Sequence, residues 1–497
     1  MDKTLEQARL YEKAHAADGR QDRPRFHLTP YIGWMNDPNG FSYYKGAYHL
    51  FYQYNPYGLC WDSMHWGHAV STDLLHWDYL PAALAPENDY DSFGVFSGSA
   101  AELPDGRQLL LYTGVTKEHD VDTQVQCVAI GDGRDYKKHG ANPVIDKKKL
   151  PAGYDTSNFR DPKIWKAADG SFCCAAVARR KDGNGAILLY RSADGIRWDY
   201  DSVLLQNDGH WGKMWECPDF FELDGKKVVL VSPQDMCADG YRYHPGNGTV
   251  CFIGELDAAQ KHFAATSDEP VDYGIDFYAP QTVRAPDGRT ILIGWMQNWD
   301  TVPLSDRGSR NWFGQMCLPR EISIRNGKLH QLPVRELERF RSGTQSLAQL
   351  VFDGCFSSEK IRGRCIDMEL SVRPEDKDAF RSFSINLAEN GTNKIVLAYN
   401  PRERLLSLDR SWSGTRRLAC NTCACPLSGG DEVRLRIIMD TYSIEVFVNG
   451  GEQVLTCTFY TDAAAQGISF HSDGAVRMDV QLYGLYADAR AGREAGL

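Results

Sequence analysis

Long apolar runs are missing where a secreted or membrane protein would carry them. The first twenty residues, MDKTLEQARLYEKAHAADGR, are studded with charge and hold no stretch of the length that a secretory h-region or a membrane helix needs. A cytoplasmic chain with no membrane partner is expected. Positive charge is in deficit as well: 55 Lys and Arg face 66 Asp and Glu, for a formal net charge of -11. That balance argues against nucleic acid as a partner, since such binders carry a basic face. Metal-ligand spacing is lacking too, because Cys420, Cys423 and Cys425 in CNTCACP have no second Cys pair or His at a matching interval. GDGRD at 131–135 lacks the strand, the Lys-Ser/Thr ending and the helix of a phosphate loop. No metal and no cofactor are therefore expected. The 14 cysteines are scattered through a chain long enough to build its core without staples, and are read as reduced.

Helical periodicity is scarce after about residue 20, and short β-rich runs entered through glycine turns take its place. YKGAYHLFYQY, PDGRQLLLYTG, ADGSFCCAAVA, LDGKKVVLVSP and PDGRTILIGWM recur with turn glycines at Gly46, Gly106, Gly170, Gly225 and Gly288. Units of that length fit five four-stranded blades. STDLLHW (71–77) and SADGIRW (192–198) read as equivalent turns into an outer strand. A five-bladed propeller fits better than a sandwich here, because radial repetition protects strand edges and brings the start of each innermost strand to one axial pocket. At 497 residues the chain exceeds what one core usually supports, so a second domain is expected.

Counting back nine residues from each turn glycine lands on Asp37, Ser97, Asp161, Glu216 and Ala279, the last beside Tyr278. Taken alone, Asp37 in WMNDPNG is a turn residue among turn residues. In this register it is one of three carboxylates meeting near an axis, an arrangement that is costly unless chemistry uses it. Carboxylates with no metal site or Ser-His pairing point to glycoside hydrolysis, in which two acids flank an oxocarbenium-like transition state. Asp37, in a turn rich in amides, is expected to stay ionised and act as nucleophile, retaining anomeric configuration. Glu216, between Trp215 and Cys217 with Asp219 nearby, is expected to have a raised pKa and to act as general acid, then base. Asp161, beside Arg160, is expected to grip sugar hydroxyls. Trp34, Trp61, Trp66, Phe96, Trp215, Tyr278 and Trp295 offer flat apolar faces, and Asn36, Gln53, Ser97 and Arg160 offer oriented polar groups.

WMNDPNG, FYQYNP, HWGHAVSTDLLHW, FSGSA, FRDPK, WECPD and IEVFVNGGE, taken together and in this order, resemble glycoside hydrolase family 32, the invertase and fructanase group. The resemblance implies an all-β chain, a five-bladed β-propeller followed by a C-terminal β-sandwich. It also implies hydrolysis of terminal β-D-fructofuranosides through a covalent fructosyl-enzyme. By the same resemblance the nucleophile falls on Asp37, the stabilising aspartate on Asp161 and the acid/base on Glu216. Asn36, Gln53, Trp61, Phe96, Ser97, Arg160 and Tyr278 fall on positions that contact the fructosyl unit. Small sugars are the expected partners: sucrose, sucrose 6-phosphate or short fructo-oligosaccharides. Fructosyl transfer at the same intermediate and non-catalytic fructoside binding are the alternatives.

The expected domains are a helical extension over 1–25, the catalytic propeller over 26–335, a linker over 336–345 and the sandwich over 346–497. EVRLRIIMD, SIEVFVNGG and MDVQLYGLYA read as antiparallel strands of that sandwich, with a hairpin at 449–451. The sandwich is read as a buttress, Lys213, Arg242, His210 and His244 as surface charge, and the sequons at Asn247 and Asn390 as unused.

Overall fold

The computed structural model describes residues 4–15, 23–118, 121–300, 310–414 and 420–486. Its first part is a ring of five antiparallel four-stranded sheets. Their innermost strands are Gly33–Tyr44, Gly94–Glu102, Tyr154–Lys166, Trp215–Leu223 and Tyr278–Arg284. The second strands carry runs such as Leu109–Tyr112 and Cys174–Ala178 that are wholly buried, because each blade packs a neighbour on both faces. The ring closes where Trp312–Phe313, leaving the fifth blade, pairs in parallel with Gly33 and Trp34 of the first.

The two related turns form the same hydrogen bonds. Ser71 Oγ accepts from Leu74 N at 2.8 Å, and Ser192 Oγ from Gly195 N at 2.8 Å. Asp73 and Asp194 each accept from the amides two and three residues on, and Trp77 and Trp198 each donate to the carbonyl three residues back at 3.0 Å. Side-chain to backbone bonding of this kind is why Ser and Asp occupy turns.

Every innermost strand also carries a β-bulge near its start: between Met35 and Pro38, Phe96 and Gly98, Arg160 and Lys163, Glu216 and Asp219, and Tyr278 and Gln281. Pro38, Pro162, Pro218 and Pro280 sit in four of them, where a missing N–H costs no ladder bond. The second blade uses Gly98 instead, since a Cβ there would lie 2.1 Å from the Leu111 carbonyl oxygen. Bulges bend a strand and re-aim its side chains; five at one level turn five strands toward the axis.

The helix Leu5–Ala14 lies over the outer strand of the first blade. Glu12 accepts from Ala82 N at 3.1 Å and Arg9 Nε donates to Ala82 O at 2.9 Å, so the helix satisfies backbone groups of that edge. No helix of the described residues is long and apolar enough to cross a membrane.

The 3-10 helix Arg335–Phe340 leads into the second part, a sandwich around a separate apolar core. The long strand Gly467–Leu485 pairs with Ser382–Asn390 in its first half and with Ile366–Pro374 in its second, while Arg341–Ser357 runs beside it. Between the two parts lies buried charge. Arg320 donates to Glu445 Oε2 at 2.6 Å and to Asp272 Oδ2 at 2.8 Å, and His27 bridges Asp440 at 2.8 Å and Glu445 at 3.0 Å.

Candidate active site

The bulges set a register that differs in the fourth blade, by one residue, from the one counted back from the turn glycines. The last ladder pair before the bulge is Phe96 with Thr113, Arg160 with Val177, Glu216 with Ser232 and Tyr278 with Trp295. Glu216 therefore shares its level with Phe96, Arg160 and Tyr278. Cys217 shares its level with Ser97, Asp161 and Ala279, and the left-handed φ of Asp161 (58°), Cys217 (48°) and Ala279 (52°) agrees with that alignment. The fourth blade runs one residue shorter from bulge to turn. Aligning the prolines, Asp-Pro with Cys-Pro, would have shown this and would have drawn attention to Cys217.

Both levels are knit by side chains. In one, Asp37 Oδ2 accepts from Ser97 Oγ at 3.0 Å and from Cys217 Sγ at 3.4 Å, and Cys217 Sγ also lies 3.7 Å from Asp161 Oδ2. Asp161 Oδ2 accepts from the Cys217 amide at 2.9 Å. In the other, Arg160 Nη2 donates to Glu216 Oε1 at 3.0 Å and the Tyr278 hydroxyl to Oε2 at 2.7 Å. Asp37 Oδ1 is left without a hydrogen-bond partner among the described residues.

Burial, and then the charge of Glu216, pushes the Asp37 carboxyl up to about 6, which corrects the expectation that turn amides would hold it low. Asp161 is also raised, chiefly by burial, with Arg160 opposing and Glu216 adding to the rise. Three carboxylates around one guanidinium resist full ionisation, so the cluster as a whole retains a proton toward neutral pH. Glu216 is not in the apolar setting expected for it: two donors reach its carboxyl oxygens, and its side chain is 16% exposed. Asp219 is turned away and paired with Lys163 at 2.7 Å.

The profile described as "Glycosyl hydrolases family 32 N-terminal domain" matches residues 27–333, and that described as "Glycosyl hydrolases family 32 C terminal" matches residues 336–483. The chain belongs to glycosyl hydrolase family 32. It is 37% identical to the sucrose-6-phosphate hydrolase of Escherichia coli over 93% of this chain and 94% of that one. It is likewise 37% identical to an Escherichia coli raffinose invertase, with the same coverage. Among solved structures it resembles a Bombyx mori GH32 beta-fructofuranosidase, with a TM-score of 0.81 and 32% identity over 97% of each chain. It also resembles the sucrose-6-phosphate hydrolase of Lactobacillus gasseri, with a TM-score of 0.84 and 28% identity over 97% of this chain and 96% of that one.

The other expected residues of this family 32 protein fall into four groups. Asn36, Gln53 and Ser97 are buried beside Asp37; Trp34 Nε1 donates to Asn36 Oδ1 at 2.7 Å and Gln53 Nε2 to the Val95 carbonyl at 3.0 Å. Trp61, 39% exposed, stands on the rim with its ring edge-on to Phe96 at 5.7 Å. Trp34 and Trp295, at 1% and 0% exposure, sit in an aromatic cluster with Phe313 and Tyr278 that backs the pocket. Trp66 and Trp215, read as walls from the sequence, are core residues whose indole N–H groups go to the carbonyls of Phe96 and Trp211. Of the loop cations, Arg242 is tied to Asp268 at 2.7 Å, and His210 packs edge-on against Trp211.

Proposed function

We propose that the protein is a retaining β-fructofuranosidase that hydrolyses sucrose and related small fructosides through a covalent intermediate on Asp37. The observation that carries this reading is the division of labour between the two levels. Asp37 keeps one oxygen uncommitted while Ser97 and Cys217 hold the other. Glu216 stands one level away, partly exposed and oriented by Arg160 and Tyr278. Asp37 Oδ1 attacks the anomeric carbon as Glu216 gives a proton to the departing oxygen; Glu216 then takes a proton from the water that hydrolyses the ester. Asp161, beside Arg160, accepts hydrogen bonds from sugar hydroxyls. Asn36, Gln53, Trp61 and Phe96 shape the fructosyl subsite.

Substrate choice is read from the rim. The equal identity to a sucrose-6-phosphate hydrolase and a raffinose invertase does not separate the phosphorylated from the plain sugar. Arg242, one of the four loop cations, is already paired with Asp268, which supports unphosphorylated sucrose as the proposed substrate. Hexose release from sucrose, sucrose 6-phosphate, raffinose, 1-kestose and inulin, compared as kcat/KM, tests this. Sucrose at least equal to its phosphate is expected. A strong preference for the phosphate would overturn the rim assignment, and no release from any sugar would overturn the enzyme. The anomeric form of the first fructose released, followed by NMR, tests retention.

The nucleophile must be ionised in the free enzyme, and its carboxyl is raised to about 6. The kcat/KM profile is expected to fall about tenfold per pH unit below that point. An acidic limb that breaks near pH 4 would show that Asp37 is ionised well below the value burial imposes.

A further inference from the structure

On the outward face of the sandwich, Cys355 of Arg341–Ser357 lies directly across from His471 of Gly467–Leu485. Its Sγ is 3.0 Å from His471 Nδ1. The other ring nitrogen is 3.2 Å from Ser469 Oγ, and Ser469 donates to Glu389 Oε2 at 2.8 Å. The Asn386 amide, 4% exposed, completes that side: its Nδ2 lies 2.8 Å from the ring nitrogen and 3.0 Å from Ser469 Oγ, and a half-turn of its last torsion sets its oxygen there instead. With the Asn386 oxygen turned to the ring and Ser469 spending its proton on Glu389, Nε2 meets two acceptors and carries the ring proton. The Nδ1 lone pair is then aimed at the thiol.

This is a nucleophile, a base in hydrogen-bond reach and a third group that orients the base, in a part of the fold separate from the sugar-cleaving carboxylates. Cys355 is exposed, whereas Cys127, Cys174 and Cys217 are buried. Nothing in the proposed hydrolysis uses it. We infer that Cys355 is a reactive thiol, capped by exchange with low-molecular-weight disulfides, with His471 as its base.

The step balances without a separate oxidant. His471 Nδ1 takes the thiol proton as Cys355 Sγ attacks one sulfur of the disulfide; the S–S bond breaks, and the departing thiolate recovers the proton from His471. One protein thiol and one disulfide become a mixed disulfide and a free thiol.

Cys60 and Cys237 are exposed as well, and serve as references within the same molecule. The full chain is incubated with oxidised glutathione at pH 7, and the adduct at each cysteine is followed by peptide mass mapping. Cys355 is expected to react about tenfold or more faster than either reference, the scale of assistance by a positioned base. His471→Gln, with its melting curve and sucrose hydrolysis unchanged, is expected to bring Cys355 down to the reference rate. Glu389→Gln, which weakens only the orienting chain, is expected to fall between. Cys355 reacting no faster than Cys60 and Cys237 overturns the proposal without any substitution. So does a lead that survives in His471→Gln, because exposure alone would then explain it.

Discussion

Asp37→Asn is expected to remove sucrose hydrolysis by about four powers of ten or more, as when an attacking group is lost, and to make the folded protein more stable at neutral pH. The two effects have one origin. Asp37 is 9% exposed, and its carboxyl is raised from 3.8 to about 6. A carboxyl raised by folding binds its proton more tightly in the native state than in the unfolded one. Its penalty is absent below about pH 4, grows as pH rises toward 6, and is fully present above that. The shift corresponds to roughly 2–3 kcal/mol at pH 7.5. An amide has no such penalty and keeps an oxygen to accept from Ser97. Melting curves of both forms at pH 4.5 and pH 7.5 give the check, with the gain expected mainly at the higher value. Near-normal turnover in Asp37→Asn would remove Asp37 from the chemistry. Lost turnover with equal or lower stability at pH 7.5 would show that the buried charge is compensated in the native state.

The five blades were legible because their turns repeat: a glycine with positive φ ends each hairpin, and the twin Ser-x-Asp turns repeat their hydrogen bonds bond for bond. Proximity of Asp37, Asp161 and Glu216 was legible for the same reason. Their levels were not. Turn spacing measures the distance along a strand, and the fourth blade is one residue shorter between bulge and turn, so Glu216 was placed with Asp37 when it stands with Arg160 and Tyr278. The sequence misplaces the charge state of Asp37 because it shows which groups are near but not how much water is excluded. Burial dominates the shift at Asp37, and burial is a property of the closed ring. Trp66 and Trp215 show the same limit: an indole in a polar loop looks like a sugar platform until the ring closes over it.

Glu445→Ala is expected to cost about 3–5 kcal/mol, the usual result of removing one partner from a buried ion network. Glu445 accepts from Arg320 and from the Leu318 amide, and contacts His27, and all three charged side chains are essentially sealed from solvent. The substitution leaves a guanidinium and an imidazole facing a cavity. The network joins the two parts of the chain, since His27 and Arg320 precede the 3-10 helix and Asp440 and Glu445 follow it. Apolar packing crosses the same boundary, for Ile438, Phe447 and Val454 belong to one core with Phe277, Ile291 and Leu318. The sandwich is thus a folding partner of the propeller, and a chain cut after residue 340 would expose both the charges and that core. The pH dependence follows from His27, whose pKa is raised from 6.5 to about 9 by Asp440 and Glu445 against the opposing effect of burial. A raised histidine stabilises fully below about 6.5, and that contribution is lost as pH climbs through 9. Asp440 and Glu445 are both lowered despite their burial, by His27 and Arg320 among others, so their contribution is lost as pH falls into the acid range. Denaturant unfolding across pH 5 to 9.5 is expected to show stability declining on the alkaline side in the parent, and a shallower decline in Glu445→Ala, where half of the histidine's support is gone. Equal slopes in the two proteins would mean that His27 is not charged at the interface.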